Sequence, residues 1–219
     1  LKDDLEALIF GVAGFLPGID LGEFPADARI YLKTLWERWW RLRAEYERLT
    51  LAPDLWKLGG QRPANHPQRR LGTLAQIVRH WARLRTFISA VDLTSIRSFF
   101  QDLYDDFWAH HYTLTSKESL KSMAIVGEER VREILVNVIF PLVVRRQPDH
   151  WPRYLELRAG VPNRRVAIAA QRLFGSEGRP ELLKSAAIQQ GLHEIYEDFC
   201  MQDASDCANC LFPQQLRRW

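Results

Sequence analysis

A chain of 219 residues that is 47% hydrophobic and 26% charged can bury a sizeable core and is too apolar to be disordered. Eight tryptophans and eleven phenylalanines make that core aromatic, and a net charge of +3 leaves the whole only mildly basic. The longest apolar run, Ile134–Val144, is broken by Asn137 and Pro141 and is too short to cross a bilayer.

The predicted elements are helical almost throughout. Lys2–Phe15 reads as a helix stopped by Pro17-Gly18. Over Pro25–Leu49, a stripe of Leu32, Leu35, Trp36, Trp39, Leu42, Tyr46 and Leu49 recurs at spacings of three and four, which predicts a long amphipathic helix. Leu51–Gln61, with Gly59-Gly60, reads as a loop. A helix should begin at Pro67, because proline costs no amide bond at the first helical position. Leu71, Leu74, Val78, Trp81 and Ile88 are its expected apolar face. Asp92–His110 follows as a further helix and Tyr112–Ser119 as irregular chain. Glu128–Arg146 is apolar on nearly all sides from Ile134 onward and is the expected central, most buried helix, kinked or ended near Pro141. Asn137 is expected inside it as a buried polar lock. Trp151–Ala159, Arg164–Phe174 and Ser185–Cys200 complete the series. Strand-like alternation and fixed-period repeats are both missing. The expectation is an all-α fold, a compact array of roughly seven to nine helices in one domain spanning 1–219, with 185–219 as the last helix and a cysteine-bearing tail.

Charge is less even than the total suggests. Leu55–Val91 holds Lys57, Arg62, Arg69, Arg70, Arg79, Arg83 and Arg85 and not one Asp or Glu. At its centre lies RPANHPQRR, Arg62–Arg70. Asn65 or His66 can cap the helix that Pro67 opens, and the arginine forks match phosphate or carboxylate oxygens. Arg62, Asn65, Arg69, Arg70, Arg79 and Arg83 are therefore one candidate anion site. The VPNRRV segment repeats the arrangement on a smaller scale and adds Arg164 and Arg165. A structural alternative stands beside this: the arginines pair with carboxylates such as Glu45, Glu47, Asp105 or Asp106 and pin the loop. Asp106 and His110, four apart, are expected to share a helix face as a surface hydrogen bond.

All three cysteines, Cys200, Cys207 and Cys210, fall in the last twenty residues. An odd count excludes a fully paired intrachain set and points to reduced thiols in the cytoplasm. Cys-x6-Cys-x2-Cys supplies three ligands where zinc takes four. His193, two helical turns before Cys200, is the candidate fourth; Asp198, Asp203 and Asp206 lie nearby. Phosphate-binding glycine loops and nucleophile-elbow patterns do not occur.

The segments FGVAGFLPG, LWKLGGQRPANHPQRRLGTLA, WAHHY, VNVIFPL, PNRRV and QQGLHEIYEDFC, followed by two further cysteines, resemble in their order an uncharacterised bacterial family, domain of unknown function 2851. Members are similar to two-part proteins whose front half resembles a restriction-endonuclease-like nuclease core. Nothing here matches that half, so the resemblance implies a helical back half of a longer protein and carries over no catalytic residue. It marks Arg62, Pro63, Asn65, Pro67, Arg69, Asn137, Pro141, Asn163, Gln190, Gly191 and the cysteines as motif positions. The leading expectation is a helical accessory module that binds nucleic-acid phosphates non-specifically beside an N-terminal nuclease-like domain, with no membrane contact. Its alternative is a structural or protein-interaction domain with internally paired arginines.

Overall fold

Helical periodicity without strand alternation produces an all-α protein. The structure, a computed structural model, describes residues 4–17, 20–60, 63–201 and 207–218. Among them the sole strand-like pairing is an isolated bridge between Arg158 and Ser185. Nine α-helical segments of seven or more residues are present among the described residues. Contacts divide the chain into two units, 1–127 and 128–219, where the sequence reads as one domain.

The first unit contains α1 (Leu5–Val12), α2 (Ala26–Tyr46), α3 (Pro67–Arg79), α4 (Trp81–Ser89) and α5 (Leu93–Gln101). Helix α1 packs against both α2 and α3 and is the most enclosed of them, with Glu6, Ala7, Phe10 and Gly11 buried. Two glycines permit close approach. A Cβ on Gly11 would collide with the Trp39 indole, and one on Gly72 with the Trp108 indole. Trp39, Trp108 and Phe10 are fully buried, and Phe10 stacks on Trp108 at 5.7 Å. Each such side chain stabilises the unit by about 1.5–3 kcal/mol.

The expected helix from Pro67 is interrupted at His80, whose φ of −106° and ψ of 17° separate α3 from α4. Its core face also differs. Leu74, Val78 and Trp81 are 44, 42 and 48% exposed, while Arg69, Gly72, Ala75 and Gln76 are buried. Polar residues occupy the inward stripe because the interior offers them hydrogen-bond partners. The helix expected through His110 stops at Gln101. Beyond it Asp105 Oδ1 accepts from the amides of Phe107 and Trp108 and folds that segment as turns. His110 faces the Ser119 carbonyl (Nδ1 to O 2.8 Å), so the Asp106–His110 helix pair does not form.

The second unit contains α6 (Glu128–Ile134), α7 (Phe140–Arg146), α8 (Trp151–Leu155), α9 (Arg164–Phe174), α10 (Ala186–Ile195) and α11 (Phe212–Leu216). A π turn, Leu135–Ile139, joins α6 to α7. Pro141 has no amide hydrogen to return to residue 137, so the backbone widens there rather than breaking. The rod buries Leu135, Val136, Ile139, Phe140 and Val143, but Val138 and Leu142 are 52 and 49% exposed. It therefore buries one side only, and Asn137 is exposed rather than locked inside. A second core forms from Val166, Ala169, Ala170 and Leu192, flanked by Phe174, Leu183, Ile188 and Tyr196. Asn163 and Ser185 cap α9 and α10.

Candidate functional site

The central arginine of RPANHPQRR does not reach solvent. Arg69 is 2% exposed, and its guanidinium donates to four backbone carbonyls: Trp108, His111 (2.7 Å), Ala124 (3.0 Å) and Met123 (3.4 Å). It also lies 5.7 Å from the Tyr112 ring centroid. Burial pushes its pKa below the ordinary value, while Tyr112 acts in the opposite direction. An arginine is suited to this because its five hydrogens fan out in one plane. Arg69 is thus corrected from phosphate contact to clamp: it ties the irregular 108–124 segment to α3.

The remaining members of the expected anion site each make their own local contacts. His66, not Asn65, caps α3: its Nδ1 accepts from the Gln68 amide at 3.4 Å. Burial lowers the His66 pKa and so favours the neutral ring that can accept. Asn65 instead accepts from exposed Arg70 at 3.0 Å. Arg79 is half-buried, and its Nε is enclosed without a hydrogen-bond partner. Exposed Arg83 lies over the Phe87 ring at 5.4 Å. In the second unit Arg165 pairs with Glu197, while Arg164 is exposed at the start of α9. Arg62 lies outside the described residues. For Arg69, Arg70 and Arg83 the partners described are carbonyls, an amide and an aromatic face.

Beside the clamp lies a polar network that the pattern did not signal. Glu6 is buried, and its Oε1 accepts from Tyr31 Oη (2.6 Å) and Trp108 Nε1 (3.1 Å). Burial, then Asp105, raises the Glu6 pKa; Tyr31, Trp108 and Arg79 partly offset this. Gln76 donates to Asp105 at 2.8 Å. His111, 3% exposed, pairs with Asp27 at 2.5 Å and stacks on Phe107. WAHHY was the visible trace; its partners Glu6, Asp27 and Tyr31 had none.

Each unit also carries an open cleft among its described residues. In the first unit, Pro17, Leu21, Trp36, Trp39, Trp40, Arg43, Glu47 and Thr50 line about 560 Å³. Trp36 and Trp40 stack at 5.1 Å and are 38 and 54% exposed, and Arg43 caps the Trp40 face at 4.8 Å while bonding Glu47. The Thr50 hydroxyl in this groove is enclosed and has no partner. In the second unit about 520 Å³ is lined by Glu129, Arg132, Asn137, Asn163, Gln190 and His193, among others. Asn137 there accepts from Gln190.

His193 faces this second cleft and stands 4.0 Å from Glu197. It does not join the cysteines. The seven-residue spacing to Cys200 assumes uniform α geometry, and the π turn Tyr196–Cys200 rotates Cys200 away. Cys200, Cys207 and Cys210 do converge, around a separate cavity. Among the described residues no group of three or more His, Cys, Asp and Glu is arranged to hold a metal ion. Asp203 and Asp206 lie outside the described residues, and no described helix is long and apolar enough to cross a membrane.

The model of the family described as "Protein of unknown function (DUF2851)" matches residues 2–156. The chain belongs to this family. That match covers the clamp, the aromatic groove and α6 to α8, while the cysteine tail lies beyond it. No curated protein and no solved structure matches the chain.

Proposed function

We propose that this chain is a helical protein-interaction module in which the arginine-rich segment is internal architecture rather than a nucleic-acid surface. The observation that carries this reading is the Arg69 guanidinium, engaged by four carbonyls in the interior of the first unit. The open clefts are not lined by the arginines of that segment. The aromatic groove on α2 offers what a protein partner needs, large rigid apolar contacts at Trp36 and Trp40. A partner segment carrying an apolar or aromatic side chain fits that chemistry.

The accessory nucleic-acid role keeps a specific basis, since Arg83 and Arg164 are exposed and no acidic residue occurs in Leu55–Val91. Titration of labelled DNA and RNA at low and high salt separates the two. The interaction-module reading expects no binding, or weak binding indifferent to Arg70→Ala with Arg83→Ala. Tight binding that falls steeply with salt and is abolished by those substitutions would overturn it.

A further inference from the structure

The end of the second unit encloses a cavity of about 160 Å³ lined by Cys200, Cys207 and Cys210 together with Arg172, Phe199 and Phe212. All three cysteines are free thiols, Cys207 exposed and the other two half-buried. Cys200 ends the π turn Tyr196–Cys200, which the Met201 amide closes by donating to the Tyr196 carbonyl at 3.0 Å. Cys207 and Cys210 sit on one tight turn, the Cys210 amide lying 3.4 Å from the Cys207 carbonyl.

Arg172 decides what chemistry suits this cavity. Its Nη1 donates to the Cys200 carbonyl at 3.4 Å, and the neighbouring Cys200, then Cys207, raise the Arg172 pKa above its ordinary value. A guanidinium beside the cavity disfavours a bound cation and favours the negative charge that sulfur carries when it attacks. Three thiols around one cation are therefore arranged for oxidation rather than for ligation.

We propose that Cys200 is a thiol-oxidation site for hydroperoxides, with Cys207 as its resolving partner and Arg172 as the countercharge. The Cys200 sulfur attacks the terminal peroxide oxygen. The O–O bond breaks, and the departing oxygen takes up the thiol proton and leaves as water or alcohol. Cys200, oxidised by two electrons, becomes a sulfenic acid. The Cys207 sulfur then displaces that hydroxyl, which leaves as water with the Cys207 proton, and a disulfide forms. In sum, two thiols and one hydroperoxide give one disulfide, one alcohol or water, and one water. Cys210 stays a thiol.

The test treats the reduced full chain with hydrogen peroxide, alkylates what remains and maps the peptides. The expected result is loss of two thiols per chain, a Cys200–Cys207 linked peptide and an alkylated Cys210. Cys207→Ser should trap a sulfenic acid on Cys200 that dimedone labels. Arg172→Gln should slow the first step about threefold to fivefold, as for an exposed ion pair, and Arg172→Lys should restore much of the rate. Cys210→Ser should change nothing. Three intact thiols, a Cys207–Cys210 link with Cys200 alkylated, or an unchanged rate in Arg172→Gln would each overturn the proposal. So would one equivalent of zinc or iron that purifies with the chain and shields the thiols.

Discussion

Replacing Arg69 with alanine removes the donor that holds the 108–124 segment, and the cost can be worked from its bonds. Three are firm, to Trp108, His111 and Ala124, and the fourth, to Met123 at 3.4 Å, is marginal. Each firm bond to a charged donor contributes about 1–2 kcal/mol net, the larger values where the carbonyl left behind is buried, as at Trp108 and His111. The sum is about 3–6 kcal/mol, and the 3–5 kcal/mol typical when an interior charged group loses its partners bounds it. For a chain of this size that lowers Tm by about 6–20 °C. Urea unfolding followed by tryptophan fluorescence measures it, with Arg70→Ala as the control. Arg70 is exposed and donates to the surface amide of Asn65, so its loss should cost less than about 0.5 kcal/mol. Arg69→Lys should recover part of the loss, since an ammonium reaches fewer carbonyls than a planar fork. An Arg69→Ala variant within about 1 kcal/mol of the parent would refute the clamp.

The neighbouring network makes further predictions. Glu6 has a pKa raised by burial from its ordinary 4.5, so the native state holds its proton more tightly. The stability this contributes is complete below that value and is lost as pH rises through the native pKa. Glu6→Gln, which still accepts from Tyr31 and Trp108, should flatten that fall in denaturation curves taken across pH, whereas Glu6→Ala should cost about 1–3 kcal/mol. Asp27 shows the opposite sign. Burial raises its pKa, but the bond from His111 and two backbone amides outweigh burial and hold it below 3.8. Its contribution is present above 3.8 and is lost as pH falls through the native value, so Asp27→Asn should remove that acid-side loss in the same curves. Gly72→Ala should destabilise by about 1–3 kcal/mol in calorimetry, because the new Cβ meets the Trp108 indole and either α3 or the turn that carries Trp108 must shift.

How much of this was legible follows from the residues themselves. Helical periodicity placed α9 and the starts of α2 and α3 within a residue, because apolar spacing, proline and asparagine caps are local signals. The inward face of α3 was not legible. Leu71, Leu74 and Val78 look like a core stripe, but what turns inward is Arg69, Gly72, Ala75 and Gln76. Their partners are carbonyls and side chains up to 55 residues away, and no local pattern encodes them. The same holds for Glu6, whose bond to Trp108 spans 102 residues. His193 was misassigned because two turns of α geometry were assumed where a π turn intervenes. The convergence of the cysteines was legible, since Cys-x2-Cys is a local turn; the guanidinium of Arg172 among them was not.

The most direct test of the clamp is the NMR spectrum of the arginine guanidinium groups. The account predicts one side chain, Arg69, with separate, slowly exchanging Nη protons that do not shift when an oligonucleotide is added. Rapid exchange at Arg69, or a shift of its signals on titration, would contradict it.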